Sequence, residues 1–216
     1  MGTRLIPRLA SRGHRVTAVA RRGSEARVPH GAEVVVADAL DRRTWQGRVR
    51  PFHTMVHLVG VAHPSPAKAR QFEEIDRRSA MEAIAVAREA GVGHFVYVSV
   101  AQPAPAMKAY LAVRAECEAA IREANLNATV LRPWYVLGPG HWWPLALTPF
   151  YRIAQAIPMT AEGATRLGLV RLDDVIAALV EAVENPVEGV KIVDVPGIRA
   201  AGDRSAQALR LQALVL

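Results

Sequence analysis

The chain has little of what would place it outside the cell or in a membrane. Cys117 is the only cysteine among 216 residues, so no internal disulfide can form, and a reducing cytoplasm is the expected compartment. No apolar run reaches the roughly 18 residues that a membrane span needs. The first residues also lack the apolar core of a secretory signal peptide.

The net charge of +7 is carried mostly by arginine. The only lysines are Lys68, Lys108 and Lys191. Such an excess is compatible with a nucleic acid or another polyanion as partner. However, Arg21-Arg22 and Arg42-Arg43 are isolated pairs, and the chain has no run of five or six like charges. This scattered pattern favours solvated helix faces, and we expect no nucleic-acid partner.

Apolar strand-like runs alternate with helical stripes along the chain. The predicted strands span residues 15–20, 33–37, 54–60, 94–99, 128–132, 167–170 and 191–195. A first helix has the apolar stripe Leu5, Ile6 and Leu9 and ends at Gly13. Further helices are predicted at residues 67–90, 107–124, 142–157 and 175–183, and a weakly held helix is predicted from Arg199. Because most strands are continuously apolar, we predict a parallel sheet with helices on both faces.

The length fits a single α/β domain. We predict a core over residues 1–140, a small substrate-side region of the same domain over 141–198, and a tail over 199–216. Asp173 and Asp174 suit the start of the helix at 175–183, since acidic residues cap helix N-termini.

Four segments carry a family resemblance. They are GHRVTAVARR at 13–22, ADALD at 37–41, AGVGHFVYVS at 90–99 and LRPWYVLGPG at 131–140. In this order they resemble the extended and atypical short-chain dehydrogenase/reductase superfamily, which includes NAD-dependent epimerase/dehydratases and NmrA-like NAD(P)-binding proteins. The resemblance implies a Rossmann-like, doubly wound sheet and a dinucleotide cofactor.

The resemblance also implies a strand and a glycine-rich loop before the first helix, and this sequence begins with the helix. Gly2 falls on the last glycine of that loop. We therefore expect that the first strand is missing, that Met1 is an internal methionine, and that roughly a dozen residues precede it, one strand plus a tight turn. A natural deletion, with the neighbouring strands closing up, is the alternative.

The resemblance assigns cofactor contacts to the ends of successive strands and to the start of the first helix. The candidate cofactor-binding residues are Gly2, Thr3, Arg21, Arg22, Asp38, Ala39, Val59, Gly60 and Pro133. Helix N–H groups at Gly2 would face the pyrophosphate, and Asp38 and Ala39 would lie beside the adenine. Asp38 also suits a plain turn, and Gly60 suits either a plain turn or close approach by the cofactor.

Arg21 and Arg22 follow the predicted second strand of the fold. NAD-binding relatives more often have an acidic residue there, which binds the ribose 2′-hydroxyl. An arginine favours the 2′-phosphate of NADP instead, so NADP is the more expected cofactor. Solvated loop arginines are the alternative interpretation.

The candidate catalytic residues are Ser99, Tyr110 and Arg114. The superfamily's reductive chemistry uses a serine with Tyr-x-x-x-Lys, and residues 110–114 retain that spacing with arginine in place of lysine. Residues four apart share a helix face, so Arg114 could stabilise a phenolate, although it cannot relay a proton. The alternative is an ordinary helix pair in which Arg114 forms a salt bridge with Glu118.

Other patterns are weaker. Trp134 and Tyr135, with three rings at His141, Trp142 and Trp143, suit a substrate pocket or simple packing. His57 and His63 lack a third ligand at metal spacing, so no metal site is expected. The helices at 67–90 and 107–124 could pair in a homodimer.

Two functions remain open at this point. One is an oxidoreductase or epimerase that uses NAD(P) on an unknown small molecule. The other is a non-catalytic dinucleotide-binding sensor, regulator or scaffold, which the altered catalytic motif favours.

Overall fold

The computed structural model describes residues 1–51, 53–104, 106–138 and 167–213, which form an α/β structure. The strands are β1 (Val16–Ala20), β2 (Ala32–Val36), β3 (Thr54–His57), β4 (His94–Val98), β5 (Ala128–Leu131), β6 (Tyr135–Leu137), β7 (Leu169–Arg171) and β8 (Val190–Val193). The helices are α1 (Gly2–Ala10), α2 (Ala69–Gln71), a π-helical segment (Phe72–Arg77), α3 (Arg78–Glu89), α4 (Lys108–Glu123), α5 (Leu172–Glu184) and α6 (Val195–Ala213).

All strand pairs among these residues are parallel. One sheet has the order β3-β4-β5-β8, and β1-β2 and β6-β7 form two-stranded sheets. Buried side chains lie on both faces of the main sheet. One core joins Phe95 and Tyr97 of β4 to α3 and α4, and the other joins Val96 of β4 to α1, α5 and α6. The predicted Rossmann-like fold with helices on both faces is confirmed.

The parallel order is interrupted between β1 and β3. These two strands are not hydrogen-bonded to each other, whereas the sequence predicts one sheet. The interruption lies where the family resemblance expects a further strand. Val19 of β1 is 43% exposed, and Val34 and Val36 of β2 are also exposed, so this pair of strands is only partly covered.

The helical segment predicted at 67–90 contains a feature that the periodicity does not show. Between α2 and α3 the chain forms the π-helical segment Phe72–Arg77, in which each turn holds an extra residue. Phe72 and Asp76, four residues apart, are both fully buried. The segment therefore places an acidic side chain inside the core.

The C-terminal helix is better packed than the sequence indicates. It begins at Val195 rather than Arg199, and Val195 and Ile198 are completely buried against α5. Arg204 also pairs with Glu181 of α5 at 2.8 Å. At the start of α5, Asp174 accepts a hydrogen bond from the Arg171 N–H at 3.0 Å, as predicted for a helix start.

The helix predicted at 142–157 and the boundary at 140/141 lie outside the described residues. In the part of the chain that is described, no helix combines the length and apolar character needed to cross a bilayer.

Candidate functional site

The candidate residues cluster at the carboxyl ends of parallel strands, where open α/β sheets bind their ligands. Arg21 directly follows β1, and Asp38 lies two residues after the end of β2. In the main sheet, Gly60 lies just beyond β3, Ser99 follows β4, and Pro133 lies two residues after β5. We call this set of strand ends the carboxyl edge.

The start of α1 lies beside this edge. A side chain at Gly2 would come within 3.9 Å of Leu58, which directly follows β3. The backbone N–H groups of Arg4 and Leu5 donate to the Met1 carbonyl. Gly2 and Thr3 are the first two residues of α1. First-turn N–H groups have no intrahelical partner, so they are available to an anion.

Arg21 and Arg22 are both exposed. Arg21 donates only a long hydrogen bond of 3.4 Å to Ser24, and Arg22 has no partner within the described ranges. Neither guanidinium is neutralised by a carboxylate there, which fits the binding of a phosphate.

Asp38 forms a turn. Its carboxylate accepts a hydrogen bond from the Leu40 N–H at 2.9 Å, and its own N–H donates to the Thr44 hydroxyl at 3.1 Å. This is the turn role that the sequence left open. The turn fixes the backbone of Asp38 and Ala39 beyond β2. A contact of these two residues with an adenine stays a prediction.

Gly60 is needed for a reason internal to the protein. A Cβ atom at this position would lie 2.7 Å from Arg114 Nη2 and 3.1 Å from Asp76 Oδ1. The next residue, Val61, donates its N–H to Asp76 Oδ2 at 2.9 Å. The buried ion pair of Asp76 and Arg114 therefore lies directly against the turn after β3, and only glycine leaves room for it.

Arg114 lies at the centre of the site. It is 5% exposed, and its Nη1 donates to the Tyr97 hydroxyl and the Val98 carbonyl, both at 3.0 Å. Its Nη2 donates to Asp76. The guanidinium also stacks over the Tyr110 ring, 5.0 Å from the ring centre. The salt bridge with Glu118, the alternative from the sequence, does not form among the described residues.

The protonation states follow from this arrangement. Burial raises the pKa of Tyr110, Arg114 lowers it, and Asp76 raises it, so that the pKa lies above its ordinary value. Burial acts to lower the pKa of Arg114, but Tyr97, Tyr110 and Asp76 raise it, and the net pKa is raised. At neutral pH the site therefore holds a protonated phenol beside a permanently charged guanidinium.

Ser99 belongs to a second buried network. Its hydroxyl donates to Glu118 Oε1 at 2.6 Å, and Gln102 donates to the same oxygen at 2.8 Å. Arg132 binds both oxygens of Glu118, at 3.0 and 2.5 Å. Glu118 is 1% exposed. Through these hydrogen bonds it connects α4 to the residues that follow β4 and β5. The structure thus brings Tyr110 and Arg114 into contact but directs Ser99 to Glu118.

His57 is neutral. Burial, with a smaller effect of Arg114, lowers its pKa to about 3, and its Nε2 lies 3.2 Å from the Ser79 hydroxyl. In the described ranges no group of three His, Cys, Asp or Glu side chains could hold a metal ion. Trp134 and Tyr135 pack edge to face at 5.4 Å, whereas His141, Trp142 and Trp143 lie outside the described residues.

Two important residues were not selected as site residues from the sequence, Asp76 and Glu118. One signal was present for Asp76, which lies four residues after Phe72 on the buried stripe of a predicted helix. A carboxylate on such a stripe needs a buried partner. Nothing in the local pattern identifies that partner as Arg114.

The comparisons with known proteins show the family and the fold. Residues 1–139 match the model of a family described as NAD(P)H-binding. The chain is 25% identical over 184 residues to a ceramide reductase of Caulobacter vibrioides, a match that covers 85% of this chain and 56% of the relative. It is 28% identical to a 3-diazoavenalumate denitrifying reductase of a Streptomyces species, covering 88% of this chain and 70% of the relative.

Among solved structures, the chain is similar to the Bordetella bronchiseptica enzyme WbmH in complex with NAD⁺. The TM-score is 0.66 with 18% identity, over 97% of this chain and 77% of that one. This likeness shows a shared fold. The chain spans little more than half the length of the ceramide reductase.

Proposed function

The chain belongs to the NAD(P)H-binding family, as its resemblance to short-chain dehydrogenases/reductases predicts, and from this premise we propose that it is an NADPH-dependent reductase of a small carbonyl-type substrate. The observation that carries the proposal is the Tyr110–Arg114 pair at the carboxyl edge. A phenol that is protonated at neutral pH, beside a fixed positive charge, suits the donation of a proton to a developing oxyanion. Two relatives named as reductases support the same direction of reaction.

The residues around the edge would hold the dinucleotide. Gly2 and Thr3 offer helix N–H groups to the pyrophosphate, and the turn at Val59 and Gly60 follows β3 beside them. When bound, the nicotinamide supplies the hydride. Tyr110 gives its proton to the substrate oxygen, and Arg114 stabilises the phenolate that remains, without taking part in proton relay.

Ser99 and Pro133 frame the other side of the edge. Because the Ser99 hydroxyl already donates to Glu118, it can still accept a hydrogen bond but has no second proton to donate. We therefore propose that Ser99 orients a substrate that carries a donor, while Tyr110 supplies the proton.

Replacement of Arg21 and Arg22 by alanine should lower the affinity for NADPH and leave the affinity for NADH unchanged. The arginines contact only the 2′-phosphate in this proposal, and charge-assisted hydrogen bonds of this kind correspond to about a 10- to 100-fold change in Kd. Calorimetric titration of both nucleotides measures the difference. Arg43→Ala is the matched control, because Arg43 is exposed and pairs with Asp41 at 2.8 Å. An equal loss for both nucleotides contradicts the assignment.

The direct test of the activity follows NADPH absorbance in the presence of a panel of aldehydes, ketones and enones. We expect consumption that requires both protein and substrate. Binding of NADPH without turnover on any class of carbonyl would instead favour the second function.

The second candidate is a non-catalytic dinucleotide sensor, regulator or scaffold. It is favoured because polar side chains of the site already have partners within the protein. Ser99 donates to Glu118, and Arg114 is paired with Asp76 and Tyr97. Such a protein would bind the nucleotide at the same edge without reducing any of the carbonyl compounds.

A further inference from the structure

The π-helical segment Phe72–Arg77 contacts both members of the Tyr110–Arg114 pair. The Phe72 ring packs against the Tyr110 ring with centres 4.9 Å apart, and Asp76 pairs with Arg114. The same carboxylate accepts the N–H of Val61 through its other oxygen, at 2.9 Å. One segment therefore touches the tyrosine, its cation and the turn after β3.

The guanidinium has no other counter-charge within the described ranges. Its remaining partners, the Tyr97 hydroxyl and the Val98 carbonyl, are neutral, and Glu118 is engaged with Arg132. A buried cation without a counter-ion is strongly unfavourable. The carboxylate of Asp76, itself fully buried, supplies that counter-charge.

We propose that Asp76 is a positioning residue, whose carboxylate holds Arg114 against the face of the Tyr110 ring and balances the guanidinium charge so that the phenol keeps its proton until the substrate oxygen takes it. The role of the proton rests on the proposed reductase function. The charge balance itself rests on the contacts alone.

The surroundings of Tyr110 allow the effect to be assigned. Its own helix contributes Arg114, and the π-helical segment contributes Asp76 and the apolar Phe72. Tyr97 on β4 accepts a hydrogen bond from Arg114, and burial raises the pKa of the Cys117 thiol on α4. His57 on β3 is neutral because burial lowers its pKa to about 3. Arg114 and Asp76 act on the pKa of Tyr110 in opposite directions, the first lowering it and the second raising it.

The test is the variant Asp76→Asn, which retains the shape and an acceptor oxygen but removes the charge. The ultraviolet absorbance of tyrosinate is followed against pH, and Tyr110→Phe identifies the Tyr110 transition among the four tyrosines. In Asp76→Asn we expect this transition to move to lower pH, and the alkaline limb of kcat/KM for NADPH-dependent reduction to move with it. The matched control Glu116→Gln removes an exposed pair between α4 and Arg77 of the same segment and should leave both curves in place.

Unchanged curves in Asp76→Asn, with only a lower melting temperature, would overturn the proposal and leave Asp76 a purely structural residue. If the single variant does not fold, the double variant Asp76→Asn/Arg114→Met removes both charges. There the Tyr110 transition should lie at lower pH than in Arg114→Met alone, because the charge of Asp76 raises the pKa of the phenol, and the same transition in both variants would contradict the proposal. A moved absorbance transition together with full activity of Tyr110→Phe would separate the two claims, since the charge balance would hold and the reductase role of Tyr110 would fail.

Discussion

Replacement of Tyr110 by phenylalanine should lower turnover about 10²- to 10⁴-fold, the range expected when a general acid is removed. The phenylalanine ring can still pack on Phe72 and under Arg114, so only the hydroxyl is lost. Because that hydroxyl takes part in proton transfer rather than in nucleotide binding, the Kd for NADPH should not change. Steady-state kinetics on any carbonyl substrate that consumes NADPH, with calorimetric titration of the same preparation, measures both quantities.

Thermal unfolding is the control for this variant. The melting temperature of Tyr110→Phe should stay close to that of the wild type, since Arg114 keeps its hydrogen bonds to Tyr97, Val98 and Asp76. Undiminished turnover in a folded Tyr110→Phe protein would exclude the tyrosine as proton donor.

Replacement of Glu118 by alanine should destabilise the protein by about 3–5 kcal/mol, the cost of breaking a buried ion pair from one side. The variant leaves Arg132 without its carboxylate, and Ser99 and Gln102 lose their acceptor. The Arg132 side chain is 23% exposed, so water can partly solvate its unpaired charge. We therefore expect a loss of stability near the lower end of this range. Urea unfolding monitored by circular dichroism measures the free energy of unfolding.

Glu116→Ala is the matched control on the same helix. Glu116 is exposed and pairs with Arg77 at 2.6 Å, and exposed pairs of this kind contribute about 0–1 kcal/mol. The double variant Glu118→Leu/Arg132→Leu, which removes both charges, should be more stable than Glu118→Ala. Equal effects of Glu116→Ala and Glu118→Ala would show that the Glu118 network does not hold the ends of β4 and β5 together.

The order of strands and helices was predictable because burial on both faces of a parallel sheet leaves continuous apolar runs in the sequence. The strand at His94–Val98, with all but its last residue buried, is such a run. The Tyr110–Arg114 contact was predictable for a similar reason, since it depends only on helical spacing.

The partners of these residues were not predictable, because they come from distant parts of the chain. Asp76 and Arg114 are 38 residues apart, and no local pattern pairs them. The sequence suggested Glu118 as the partner of Arg114 from spacing alone. In the structure, Glu118 points instead to Arg132 and Ser99, which the fold of β4 and β5 brings beside α4.

The π-helical segment illustrates a second limit. The residues of α2, this segment and α3 are compatible with a regular helix, and no local pattern marks the extra residue per turn that the structure has at Phe72–Arg77. Such segments are often found at functional sites. This one provides two of the contacts that define the candidate site.

Calorimetric titration of NADPH and NADH into this chain tests the central claim most directly, because every proposed role depends on a dinucleotide at the carboxyl edge. We predict saturable binding of NADPH, with a lower Kd than that of NADH, and loss of this preference in the Arg21→Ala/Arg22→Ala variant. The absence of binding by either nucleotide to the folded protein would contradict the account.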